Sequence, residues 1–244
     1  MPDSPQDTLF ASGVIAEDFT FNEHVAAVFD DMLDRSIPCY RLVIDAMAQI
    51  LSCHLQPGTT VYDLGCSTGT TIFELTRRLP GMELTFIGID NAPAMVAKAR
   101  TKSAQYSKNH DIHFKECDIT SCSLPGAGAI LCNYTLQFLR PLARQSFINR
   151  IFAALPSGGV FILSEKTIAL SSRLNRDFIE IYHSFKKQQG YSELEIAAKR
   201  EALENVLIPF TIRENTALLE QAGFSEIEPF FTWFNFSSIV ALKR

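Results

Sequence analysis

Apolar residues along this chain follow two rhythms. Between residues 59 and 165, short apolar runs take turns with stretches of helical spacing. TTVYDLG (59–65), ELTFIGID (83–90), IHFKECDI (112–119), GAILCNYT (128–135) and GGVFILSE (158–165) predict strands. TTIFELTRRL (70–79), APAMVAKARTKSAQY (92–106) and PLARQSFINRIFAAL (141–155) predict helices. Pro93 falls in the first turn of its helix, where a missing N–H costs little. Strands separated by helices imply βαβ units and a parallel sheet. Runs such as AILC and VFIL do not alternate with polar residues, which suits strands covered on both faces.

The rhythm differs outside this stretch. Val25, Val28, Phe29 and Met32 mark a short amphipathic helix over 23–34, Pro38 breaks the chain, and a second helix spans 40–54. After residue 165 helical segments cover 172–188, 192–206 and 213–222, with Gly223 as a stop signal. The remaining residues predict two strands around a turn at Asn235. The reading is a single α/β domain over 1–244, with cap helices in 1–57 and inserted helices in 172–206.

Composition narrows the class. Hydrophobic residues make up 47% and charged residues 20% of the 244 positions, enough to bury a large core. A net charge of -5 argues against a long nucleic-acid groove as the main surface. None of the six cysteines forms a C-x-x-C pair, and their spacing suits neither a zinc site nor a disulfide framework. No metal site is therefore expected, and a reduced, cytoplasmic setting is. The apolar runs are too short to span a membrane, and MPDSPQDTLF lacks the basic and apolar regions of a signal peptide.

Candidate chemistry starts at VYDLGCSTGTT (61–71), a strand, glycine loop and helix start. Gly65 and Gly69 let the backbone bend and approach a ligand, with Cys66 and Ser67 between them. Ser67 stands where a dinucleotide fingerprint has its middle glycine, and no P-loop lysine follows. A smaller ligand without a pyrophosphate fits better. Asp90 ends the second strand, where an acid accepts from both ribose hydroxyls, and Asp118 ends the third, within reach of an adenine amine. Loop, Asp90 and Asp118 in this order resemble the S-adenosylmethionine-dependent methyltransferase superfamily. The resemblance implies a Rossmann-like class I fold, with a mostly parallel seven-stranded sheet and helices on both faces.

Longer strings sharpen it. DTLF (7–10), FTFNEHVAAVFDDMLDRSIPCY, IDNAPAM, NYTLQFL, LSEK, GYSELEIAAKR and LENV look like the bacterial carboxy-S-adenosyl-L-methionine synthase family, across almost the whole chain. That family belongs to the tRNA wobble-uridine modification pathway. It converts S-adenosyl-L-methionine and prephenate to carboxy-S-adenosyl-L-methionine and phenylpyruvate, by a proposed sulfonium ylide that captures carbon dioxide. The resemblance implies a transferase that is homodimeric and needs no direct nucleic-acid contact. It places Tyr40, Gly65, Cys66, Ser67, Asp90, Asn91, Asp118, Ile119, Asn133 and Arg200 around the ligand. It names no general base, so the catalytic groups stay unassigned. Cys39 stands where the resemblance implies glycine. An ordinary methyltransferase acting on a small molecule or RNA, and a non-catalytic S-adenosylmethionine-binding module, remain alternatives.

GYSELEIAAKR (190–200) raises its own question. Ser192 and Glu195 have capping-box spacing, with Ile196 and Leu203 facing a core. The resemblance implies that Arg200 holds the added carboxylate, for which a guanidinium has matching fork geometry. Lys199 is the lesser candidate for that role, a compact charge that can equally be solvated, and Arg200 can alternatively pair with Glu201 or Glu204 on the surface. Phe231, Trp233, Phe234 and Phe236 offer a dimer face.

Overall fold

The computed structural model describes residues 5–13, 19–105 and 111–244. Strands β1 (Thr60–Leu64), β2 (Thr85–Asp90), β3 (Asp111–Glu116), β4 (Ala127–Asn133) and β5 (Val160–Lys166) pair in parallel. A hairpin of β6 (Glu226–Trp233) and β7 (Phe236–Leu242) completes the sheet, with β7 antiparallel to β5. The seven-stranded order is β3-β2-β1-β4-β5-β7-β6. Strand order reverses between β1 and β4, so their carboxyl ends open the crevice where such sheets take ligands.

Successive residues of one strand serve two cores, which is why the runs do not alternate. Leu131 packs with Val43, Ile44, Met47 and Phe73, on the face covered by α2 (Tyr40–His54) and α3 (Thr70–Arg78). Its neighbour Ile130 packs with Phe147, Ile148 and Leu219, under α5 (Pro141–Ala154) and α8 (Ile212–Ala222). A smaller cluster joins α1 (Glu23–Ser36) to Met95 of α4 (Pro93–Ser103). Helices α6 (Ser172–Gln188) and α7 (Glu193–Ala202) follow β5. No helix of the described residues is long and apolar enough to cross a membrane.

The differences from the sequence reading lie at element ends. The third strand stops at Glu116, so Asp118 sits in the following loop. Residue 106, where the fourth helix is expected to end, lies outside the described residues, and α4 closes at Ser103. Helix α7 ends at Ala202 rather than 206. The C-terminal turn is the pair Phe234–Asn235, and Phe234 adopts a positive φ of 44°.

Candidate active site

The glycine loop is shaped by backbone that only a few residues tolerate. Gly65, Ser67 and Gly69 have φ of 77°, 48° and 78°. Any Cβ on Gly65 would lie 2.3 Å from the Thr135 side chain, so the loop is pressed against the segment after β4. The amides of Gly65 and Cys66 donate to the Ile89 carbonyl at 2.8 and 3.1 Å. The amide of Ser67 donates to Asp90 Oδ2 at 2.8 Å, and that of Ala92 to Oδ1 at 2.9 Å. Asp90 thereby joins the loop to the end of β2, and its remaining lone pairs can still accept. Burial holds its pKa above the ordinary value despite these amides.

A buried ion network anchors the same loop from beneath. Thr68 and Thr70 each donate a hydroxyl hydrogen to Asp30 Oδ1 at 2.6 Å, and Lys102 Nζ lies 2.9 Å from Asp30 Oδ2. Asp30 comes from α1 and Lys102 from α4, so two helices fix the loop's shape.

Asp63, near the end of β1, is the feature that sequence reasoning passed over. It is 1% exposed, and neither carboxylate oxygen has a hydrogen-bond partner among the described residues. Burial, with the charge of Asp90 behind it, pushes its pKa up to about 7. A buried orphan carboxylate calls for a cation or a proton. Its signal was available: it stands two residues before Gly65, inside VYDLGCSTGTT.

Tyr40 and Asn133 meet on this side of the sheet. The Tyr40 hydroxyl lies 3.2 Å from Thr71 Oγ1, and Asn133 Nδ2 donates to the same oxygen at 3.1 Å. Asn133 Oδ1 is buried without a partner among the described residues. Burial raises the Tyr40 pKa, so the phenol stays neutral. Tyr40 also begins an aromatic row, with ring centroids 6.4 Å from Tyr40 to Tyr134 and 6.1 Å on to Phe236.

The strings NYTLQFL and LSEK form one hydrogen-bonded unit. Buried Glu165 accepts from the Leu136 amide at 2.9 Å and also from the Thr135 and Gln137 amides. Gln137 accepts from the Lys166 amide at 3.0 Å and donates to the Tyr134 carbonyl at 3.2 Å. Arg144 is buried beneath, donating to the carbonyls of Leu139, Gln137 and Ile208 at 3.0, 3.2 and 2.6 Å. Glu165 nevertheless has its pKa pushed up to about 8 by burial, against the pull of Arg144.

The remaining candidates lie further out. Asp118 is exposed, and the Thr120 amide and hydroxyl at 2.8 and 2.7 Å hold its carboxyl below the usual range. Ile119 is half-buried against the second core, and Asn91 is exposed. Cys66 is buried, and its thiol is pushed up by burial.

Helix α7 carries the predicted capping box of Ser192 and Glu195. Lys199 is not solvated: it is 6% exposed, 3.1 Å from Ser36 Oγ and 3.6 Å from Asp7 Oδ2. Tyr191 donates to the same Asp7 oxygen at 2.6 Å, and Arg35 stacks 4.0 Å over the Tyr191 ring. These partners lie far off in sequence, so local spacing held no sign of them. Arg200, the next residue, is exposed and has no hydrogen bond or ion pair among the described residues, including Glu201 and Glu204. Its charge reaches His183 of α6, which burial first, and then neighbouring cations, hold below its usual pKa. Phe236, expected on a dimer face, is instead buried in the first core.

Strand order, the loop at the β1 end and the acid at the β2 end define a class I methyltransferase fold. Residues 61–159 match the family model described as a methyltransferase domain. Human N-acetylserotonin methyltransferase in complex with SAM superposes with a TM-score of 0.62 at 17% identity, over 99% of this chain and 63% of that one. The apo S-adenosylmethionine-dependent methyltransferase SibL gives 0.64 at 16%, over 94% and 63%. Within that class, the chain belongs to the carboxy-S-adenosyl-L-methionine synthase family. It is 55% identical to the synthase of Desulfotalea psychrophila, over 98% of this chain and 97% of that protein. The synthase of Nautilia profundicola is 45% identical, over 94% and 96%.

Proposed function

We propose that the chain converts S-adenosyl-L-methionine and prephenate to carboxy-S-adenosyl-L-methionine and phenylpyruvate, supplying the carboxylated product for tRNA wobble-uridine modification. The near-full-length identity to synthases of that name carries the reading. The conversion balances: prephenate loses one carboxyl as carbon dioxide and its ring hydroxyl as hydroxide. The sulfonium methyl gives up one proton to that hydroxide, forming water, and gains the carbon dioxide. The substrate thus supplies its own base, and no side chain is required as one.

The residues fit a sulfonium nucleoside. Asp63, buried and unpaired, takes the ligand's cationic amino-acid end. Gly65, Cys66 and Ser67 offer backbone to it, Asp90 and Asn91 hold the ribose, and Asp118 and Ile119 flank the adenine. Tyr40 and Asn133, joined through Thr71, face the methionine end. Arg200, exposed and unpaired among the described residues, supplies the guanidinium for the added carboxylate.

The enzyme acts as a cytoplasmic homodimer and does not itself contact RNA. Exposed Ile168, Leu170, Leu174 and Phe234 provide apolar surface for a second copy. Phe178, 5.3 Å from Phe234 and one helical turn from Leu174, continues that surface.

The test incubates the protein with S-adenosylmethionine, with and without prephenate, and follows both products by mass spectrometry. A sulfonium product heavier by one carbon dioxide, formed only with prephenate and equimolar with phenylpyruvate, is the expected result. Methyl transfer to an acceptor without any use of prephenate would overturn the reading. Arg200→Ala is expected to weaken the carboxylated ligand far more than S-adenosylmethionine; equal losses would remove Arg200 from its role.

A further inference from the structure

Three lysines converge beneath α6 and α7, and among the described residues only one of them has a counter-ion. Lys199 is paired with Asp7 and Ser36. Lys186 of α6 is 5% exposed, and its Nζ has no hydrogen bond or ion pair among the described residues. Lys166, the last residue of β5, has none for its Nζ either. Both ammonium groups face the same ring, 5.0 Å (Lys166) and 5.5 Å (Lys186) from the Tyr182 centroid. A ring face offsets only a small part of the cost of removing an ammonium from water.

Among the described residues, no acid near Lys186 is free to serve it. Of the carboxylates whose charge reaches Lys186, Asp7 is bonded to Tyr191 and Lys199, and Glu195 is engaged in the capping box. Burial draws Lys166 down to about 8 and Lys186, with its lysine neighbours adding, to about 7. An arriving anion is what would hold both fully charged.

Their place in the fold ties the pair to the reaction site. Asn133 pairs with Ser164 across β4 and β5, and Lys166 lies two residues further toward the carboxyl end. Residues two apart in a strand share a face, so Lys166 stands about 7 Å beyond Ser164 on the side that carries Asn133. Lys166 also pairs directly with Phe236 of β7. The aromatic row from Tyr40 through Tyr134 and Phe236 continues to Tyr182, 5.1 Å on. One end of the row therefore meets the glycine-loop site, and the other meets two cations without a counter-ion among the described residues.

We propose that Lys166 and Lys186 form the receptor for one carboxylate of the second substrate, the carboxylate that remains in the keto-acid product. The inference rests on the prephenate reading above and deepens it. Prephenate carries two carboxylates, and the choice between them follows from the chemistry. An ion pair to the departing carboxylate would stabilise the ground state, because that group loses its charge as carbon dioxide forms. An ion pair to the retained carboxylate keeps its strength throughout and serves for orientation. The cations thus hold the surviving group, and the aromatic row faces the ring and the group that leaves.

Calorimetric titration of the full-length protein, loaded with S-adenosylmethionine, with phenylpyruvate tests this. Phenylpyruvate carries only the retained carboxylate. Lys166→Met and Lys186→Met are each expected to weaken it by about 10- to 100-fold, as for a lost hydrogen bond between charged groups. The prephenate KM should rise more than kcat falls, and Lys→Arg at either position should recover most of the affinity. S-adenosylmethionine affinity should stay within about twofold. Lys186→Met should melt at the same temperature or higher, since an unpaired buried charge is removed. A purely structural lysine would show a lower melting temperature and no selectivity between ligands. Unchanged phenylpyruvate affinity in the doubly substituted protein would overturn the inference while leaving the synthase reading intact. Failure of the unsubstituted protein to make any carboxylated product from prephenate would overturn the synthase reading and this inference with it.

Discussion

Asp63 makes the site's pH behaviour testable at the scale of one residue. Its folded pKa of about 7 lies above the ordinary carboxyl value of 3.8. In the ligand-free protein this group's contribution to stability is complete below the unfolded value and is lost as pH rises through about 7. Cation binding favours the charged form, so S-adenosylmethionine should bind more tightly as pH rises through that value. Binding below it should release a proton, which calorimetry in buffers of different ionisation enthalpy reads directly. Asp63→Asn is expected to abolish the proton release, weaken the ligand by about tenfold and stabilise the empty protein above neutrality. A second residue-scale test lies at Cys39, which occupies the left-handed region with φ 57° and ψ 24°. The position that the resemblance reserves for glycine is thus one that glycine alone adopts without strain. Cys39→Gly should raise stability by about 1 kcal/mol in thermal or urea unfolding. The glycine departure was visible in the sequence, but its geometric reason was not. Asp63 sat inside a motif already singled out, yet its lack of any partner is a property of folded surroundings.

At the scale of elements, helix and strand identities were legible because periodicity reports burial on one side or both. Ends were less so, since they depend on partners elsewhere. The capping box of α7 is local, two residues and one spacing, and it was readable. The unit formed by Glu165, Gln137 and Arg144 is not local: its hydrogen bonds link the end of β5 to the segment after β4. That unit fixes the segment directly after Asn133, so substitutions in it should affect function through structure. Glu165→Ala strands buried amides and should cost about 3 kcal/mol in urea unfolding. Glu165→Gln retains an acceptor oxygen and should cost less than half as much. Equal stability of all three proteins would show that the loop is held by other contacts. Lys199 illustrates the opposite failure of local reading. Next to Arg200 it looked like a surface charge, while its partner Ser36 lies 163 residues away.

For the whole molecule, the reversal of strand order between β1 and β4 creates the crevice, and the two cores on either face of the sheet hold it open. This much of the architecture was readable from the order of runs and helices. The exposed apolar surface was only partly so: Phe234 faces outward, whereas Phe236 is spent on the core. If the outward group joins two copies, Leu174→Glu together with Phe234→Glu should convert a dimer to a monomer in analytical ultracentrifugation. An unchanged sedimentation coefficient would place the interface elsewhere. The knot of Asp7, Arg35, Ser36, Tyr191 and Lys199 has a further consequence, in the order of synthesis. Asp7 leaves the ribosome early and must wait for Lys199, on the order of ten seconds or more at ordinary elongation rates. Until then its segment has no permanent place, and α7 cannot seat its buried lysine. The seat of α7 can thus be completed only after Lys199 has been made, however early Asp7 and Ser36 emerge.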